Sequence, residues 1–169
     1  MLGADHERTV IPLIELPNGS PFIVYGTVLP WKGDGGVYNW DEHHRVIEKQ
    51  TSEWLEVVQK FPGIPICIAG DFNTDMETGG YYGTKRGIAA LKKALSNIGC
   101  SCVTAMSLIP ACMLDQPPID HIALSDEWAS NSKVISAWRA DKRKLTDHSG
   151  LIVEINRYIL KSTGTAIRH

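Results

Sequence analysis

No apolar run in the 169-residue sequence reaches the length of about 18 that a membrane-spanning helix requires, so no span is encoded. No export leader is expected either. The opening Met1-Leu2-Gly3-Ala4-Asp5-His6-Glu7-Arg8 carries charge where a signal peptide needs its apolar stretch. Charge of one sign is scarce. Lys and Arg total 17 against 19 Asp and Glu, a formal charge of −2. That excludes a general polyanion binder and still allows a local basic groove. Cysteines number four, and Cys100-x-Cys102 is too close for a disulfide framework and lacks the second ligand pair of a zinc ribbon. Free thiols in a reducing cytosol, and hence a cytoplasmic location, are the expectation. Internal repeats and low-complexity stretches are absent.

The sequence has enough apolar residues for a core. It is 43% apolar and 21% charged, which argues against disorder over the bulk of the chain. Its length suits one domain, expected over residues 1–160 with a polar tail at 161–169. Val10 to Leu16 and Phe22 to Leu29 flank an Asn18-Gly19 turn and read as a hairpin. Residues Asp41 to Lys60 read as a helix whose stripe is Ile47, Thr51, Trp54, Val58 and Phe61, with Glu48, Lys49, Glu53 and Glu56 elsewhere. Ile64 to Ala69 reads as a central strand, and Thr84 to Ile98 as a second helix stopped by Gly99. Short strands follow near Cys100–Ala105, Ile119–Leu124, Val134–Trp138 and Leu151–Ile155. About seven strands and two helices make the class α+β.

Three short segments carry chemistry. Gly70-Asp71-Phe72-Asn73-Thr74-Asp75 follows the central strand and delivers Asp71 and Asn73 at its end; an ordinary turn has the same composition. In Ile119-Asp120-His121-Ile122, Asp120 shares a strand face with Ile122 and Leu124, where a carboxylate needs a partner. A place at the exposed strand end, bound to backbone amides, is the plainer reading. Thr146-Asp147-His148 sets a hard oxygen ligand beside an imidazole, or forms a solvent-facing turn. Together the segments supply carboxylates for a divalent metal, a histidine, and a carboxylate to orient it. That is the equipment for metal-assisted hydrolysis of a phosphate ester.

These three motifs, in this order, resemble the signatures of the endonuclease/exonuclease/phosphatase superfamily, over residues 9 to 157. The resemblance implies a layered α/β/β/α sandwich and magnesium, or manganese, as cofactor. It implies that His148 contacts the scissile phosphate and Asp120 holds its imidazole. Asp71 would position or deprotonate the attacking water. Asn73 would donate to the phosphoryl oxygens or help place Asp71, and Asp147 would be a metal-side carboxylate. The partner would be a phosphate-ester substrate, nucleic acid among the candidates. Phosphomonoesters and lipid headgroups are alternatives.

The sequence departs from the superfamily pattern in lacking the upstream strand ending in Asn and the Gln-Glu whose Glu binds magnesium. It therefore resembles the C-terminal half to two-thirds of that fold. A fragment, with an uncovered sheet that self-associates, is the expectation, and a catalytically incomplete binding module is the alternative function. Gly33-Asp34-Gly35-Gly36 lacks the ending of a nucleotide-binding loop and reads as a surface loop, or as a substrate edge with Trp31 and Lys32. His43-His44 reads as solvated. Trp40, Trp54 and Trp138 read as core. Arg139, Lys142, Arg143 and Lys144 form a solvated loop or an electrostatic guide for phosphate.

Overall fold

The computed structural model describes residues 7–34, 36–139, 146 and 148–156. Asp147, the cluster from 140 to 145 and the tail at 161–169 lie outside the described residues.

The hairpin forms as two short strands against one long one. β1 (Thr9–Val10) and β2 (Leu13–Glu15) both run antiparallel to β3 (Pro21–Val28). Pro12 interrupts them because it has no N–H for the ladder, yet its carbonyl accepts from the Val24 N–H at 3.0 Å. The turn closes at Gly19, whose φ is +80°. Helix α1 (Asp41–Lys60) then crosses over, so that β4 (Ile66–Asp71) lies parallel to β3. Helix α2 (Lys85–Asn97) leads to β5 (Cys100–Cys102), and β6 (Asp120–Ser125) pairs antiparallel with both β4 and β5. The strand order is β1-β3-β4-β6-β5, with β2 also beside β3. A short α3 (Asp126–Ala129), not foreseen in the sequence, precedes β7 (Ser132–Arg139), which pairs with β8 (Ser149–Ile155) in a second sheet.

The main core lies between the large sheet and the two long helices. Ile23, Tyr25, Ile66, Ile68 and Ala123 meet Ile47, Trp54, Val57 and Leu91 there. The other sheet face carries a smaller cluster around Leu124 and Trp128, against which Val153 and Ile155 of β8 pack. α2 keeps the expected bounds. The Thr84 hydroxyl caps it by accepting from the Gly87 N–H at 2.9 Å, and Gly99 takes the left-handed φ of +64° just beyond it.

α1 presents a different face from the expected one. Its buried residues are His43, Val46, Ile47, Gln50, Glu53, Trp54 and Val57, while Thr51 and Val58 are half-buried. Two polar side chains explain the rotation. The Tyr25 hydroxyl donates to Glu53 Oε2 at 2.6 Å, and the Thr27 hydroxyl to Gln50 Oε1 at 2.8 Å. Bonded in this way, polar residues can occupy a core face. His43 is likewise buried rather than solvated, its Nδ1 bonded to the Pro30 carbonyl at 2.7 Å. His44 is half-buried, 2.9 Å from the Thr84 hydroxyl. Trp54 is core, whereas Trp138 is 50% exposed and corrects the expectation made for it.

Candidate active site

The site forms at one end of the large sheet, where the second sheet meets it. β4 ends in Gly70-Asp71 and β6 begins with Asp120. The register sets Asp71 directly opposite Asp120, so both side chains leave the same face. His148 arrives just before β8 from the second sheet. Its Nδ1 lies 2.7 Å from Asp120 Oδ2. Asp120 thus does stand at the strand end, with its carboxylate bound to an imidazole.

Asn73 pins Asp71. Its backbone N–H donates to Asp71 Oδ1 at 2.8 Å and its side-chain amide to Oδ2 at 2.9 Å. The same Nδ2 also donates to the Leu29 carbonyl at 2.8 Å. Both neighbours are acceptors, so the amide nitrogen must face them and both its protons are committed. Of the two roles expected for Asn73, this geometry serves the placing of Asp71. The residue sits at φ +47°, a left-handed conformation that asparagine tolerates better than most.

Burial pushes the Asp71 carboxyl above its ordinary value. The Asn73 backbone N–H opposes this, the facing Asp120 adds to it, and His148 and the Asn73 amide oppose it again. A carboxyl raised in this way takes up its proton earlier on acidification, so in the metal-free protein Asp71 is expected to titrate above 3.8, the ordinary value for aspartate. NMR titration of the side-chain carboxyl checks this, and a midpoint at or below that value contradicts it.

His121, adjacent to Asp120, faces the helices instead. Its Nε2–H donates to the Thr74 carbonyl at 2.9 Å. The Thr104 hydroxyl donates to its Nδ1 at 3.2 Å and accepts from the Ile122 N–H at 2.9 Å. Burial brings its pKa down from 6.5 to about 4. Between those values the unfolded chain binds a proton that the native state refuses, so stability falls as pH drops through the window. The expected loss is about 3 kcal/mol at 1.36 kcal/mol per unit. Urea denaturation from pH 7 to 4 should show it, and His121→Gln should flatten the slope.

Two further features were not assigned in the sequence, beyond the alternative reading of Trp31 as a substrate edge. Asp75 is buried and gathers the following loop. Its Oδ1 accepts from the N–H groups of Glu77, Thr78 and Gly79 at 3.0, 3.1 and 3.0 Å, and its Oδ2 from Tyr81 at 3.0 Å. Burial alone would raise this carboxyl, but the N–H bonds together hold it below its usual value. The signal was available as an aspartate followed by Met-Glu-Thr-Gly-Gly, a run suited to turning around a carboxylate. The second feature is a cleft of about 390 Å³ that Trp31, Tyr81 and Tyr82 line together with Asp71, Asn73 and His148. Burial, and then the nearby Asp71 carboxylate, hold the Tyr82 phenol above its ordinary range.

Ligand atoms of Asp71, Asp120 and His148 lie within 4.8 Å of one another. Magnesium takes one or two carboxylates and completes its shell with water and phosphate oxygens, so Asp71 and Asp120 suit such an ion. The imidazole suits it less, because Nδ1 is engaged with Asp120 and a hard ion prefers oxygen.

No protein-family model and no curated protein matches the sequence. Solved structures do. The catalytic domain of human Nocturnin, with bound sulfate, matches 88% of this chain and 53% of its own, at 17% identity and TM-score 0.54. The AP endonuclease LMAP from Leishmania major matches 91% and 56%, at 10% identity and TM-score 0.65. An AP endonuclease from Archaeoglobus fulgidus matches 92% and 70%, at 15% identity and TM-score 0.56. The chain has the endonuclease/exonuclease/phosphatase fold. It spans about half the length of the first two chains. Within the endonuclease/exonuclease/phosphatase fold, Asp71 stands at the end of a central strand and His148 at the start of a strand in the second sheet. No described helix is long and apolar enough to cross a membrane.

Proposed function

We propose that this chain is a metal-dependent phosphoester hydrolase of the phosphodiesterase or nuclease kind. The observation that carries the reading is the His148–Asp120 pair at 2.7 Å, facing the pinned Asp71 across one cleft. Asp120 accepts the Nδ1 proton and fixes the ring, which leaves Nε2 to deal with the phosphate. Asp71, pinned by Asn73, takes a proton from the attacking water, and the water oxygen bonds to phosphorus. As the bond from phosphorus to the leaving oxygen breaks, protonated His148 supplies the proton that oxygen needs. The paired Asp120 stabilises the imidazolium in the meantime. A divalent cation at Asp71 and Asp120 would screen the charge that grows on phosphorus. Asp147 remains a proposed further ligand, and magnesium the proposed ion. The two AP endonucleases among the neighbours support nucleic acid as the phosphodiester.

The test is hydrolysis of bis(p-nitrophenyl) phosphate by the purified chain. Chelation with EDTA should lower the rate at least about tenfold, and added magnesium should restore it. A folded protein that binds the diester without turnover would replace this reading with a binding module.

A further inference from the structure

Two large aromatic side chains stand in solvent at the mouth of the cleft. Trp31, from the β3–α1 loop, is 52% exposed, and Tyr81, from the β4–α2 loop, is 46% exposed. Single exposed aromatics are ordinary on a protein surface. Here two from separate loops converge on the same polar floor of Asp71 and His148.

Tyr81 is held at both its backbone and its ring hydroxyl. The Tyr81 backbone N–H is bonded to buried Asp75, and its hydroxyl donates to Gln116 Oε1 at 3.0 Å. The Trp31 ring lies against Gly33, where an added Cβ would stand 3.2 Å from the indole. Neighbouring Tyr82 is braced edge-on against Trp40, with centroids 5.4 Å apart and planes at 82°. Rings fixed in advance lose little entropy when something stacks on them.

The rest of the rim decides what that group is. Pro117, Pro118, Ile119 and Ser149 complete it, and of these only Ser149 has a side-chain hydrogen-bonding group. A polyhydroxylated headgroup such as inositol or glycerol would need many donors and acceptors there. A planar heterocycle needs a flat apolar wall, which every base can use through its π-face. The formal charge of −2 also argues against binding by backbone charge alone.

We infer that Trp31 and Tyr81 form a base-binding subsite beside the scissile phosphate, so that the substrate is a nucleotide-bearing phosphodiester rather than an inositol or lipid headgroup. This rests on the hydrolase reading above.

The test compares a thymidine dinucleotide with the same dinucleotide carrying abasic tetrahydrofuran in place of the bases. The wild type should prefer the base-bearing form in kcat/KM. Trp31→Ala should shrink that preference by about 5- to 160-fold, the range one stacked base is worth, and Trp31→Phe should retain most of it. Equal rates on both substrates in the wild type, or an unchanged preference in Trp31→Ala, would overturn the subsite.

A binding measurement separates this proposal from the hydrolase reading. Titration of the metal-free protein with a non-hydrolysable phosphorothioate dinucleotide should quench tryptophan fluorescence. Trp31→Phe should lose the quench, and Trp138→Phe, at the other exposed tryptophan, should keep it. If no substrate is hydrolysed but this pattern holds, the hydrolase reading fails and the base site stands. If inositol phosphate or glycerophosphate quenches equally well, the base site fails.

Discussion

On the proposed hydrolase function, His148→Ala is expected to lower phosphodiester turnover by about 10²–10⁴, the usual contribution of a positioned acid–base histidine. Asp120→Asn is expected to lower it by about 10⁴, the scale seen when the carboxylate behind a catalytic histidine is made an amide in another His-based site. The cause is specific. An amide presents a proton as readily as an oxygen to Nδ1, so the ring loses the partner that sets its tautomer and shares its positive charge. Residues that act as one unit are not additive, so the double variant should be little worse than the poorer single one. Both side chains are half-buried at the site's edge, and the folds should survive. Measured kcat with a matched melting curve for each variant decides the matter. Losses that simply multiply in the double variant would mean that the 2.7 Å contact is not a working pair.

Gly70→Ala is expected to be the most destabilising glycine-to-alanine change among the described residues. Gly70 lies opposite Thr27 in the β3–β4 register and holds φ at +144°, a region that L side chains rarely adopt. An added Cβ would run into the Thr27 carbonyl oxygen, which is backbone within a strand and cannot swing aside. Conformational strain of about 1–3 kcal/mol combines with an overpacking cost of similar size, for about 3–5 kcal/mol in all. Small domains hold about 5–15 kcal/mol in total, so this variant should be barely folded at 37 °C. Gly19→Ala is the control. It too has a positive φ, +80°, but nothing stands within 4 Å of its added Cβ. It should cost about 1–2 kcal/mol. Urea midpoints for the two variants give the comparison, and equal losses would show that the Thr27 contact does not matter.

Some features were legible because local chemistry decided them. α2 announces both ends, with Thr84 to cap it and Gly99 to leave it, and the observed helix keeps them. Asp71, Asn73, Asp120 and His148 could be picked out because carboxylates and imidazoles beside apolar strand runs are conspicuous. The structure brings all four to one end of the sheet. The face of α1 was not legible. Glu53 and Gln50 look like solvent residues until Tyr25 and Thr27, more than twenty positions away, supply their hydrogen bonds. His43 misled for the same reason, because only the Pro30 carbonyl makes its burial tolerable. The cleft wall was harder still. Tyr81 reaches it through a loop shaped by backbone N–H groups converging on Asp75, and backbone bonds leave little trace in side-chain pattern.

The register between β4 and β6 works as a proofreading device. Sliding β6 by one residue would turn Asp120 toward the helices and offer His121 to the cleft instead. The slipped chain would then present an Asp-His pair of plausible composition in the wrong order. His121 guards against it, since its bonds to Thr74 and Thr104 exist in one alignment alone and are forfeited in any other. The hydrogen bonds of His121 thus favour the alignment in which the neighbouring carboxylate faces the cleft.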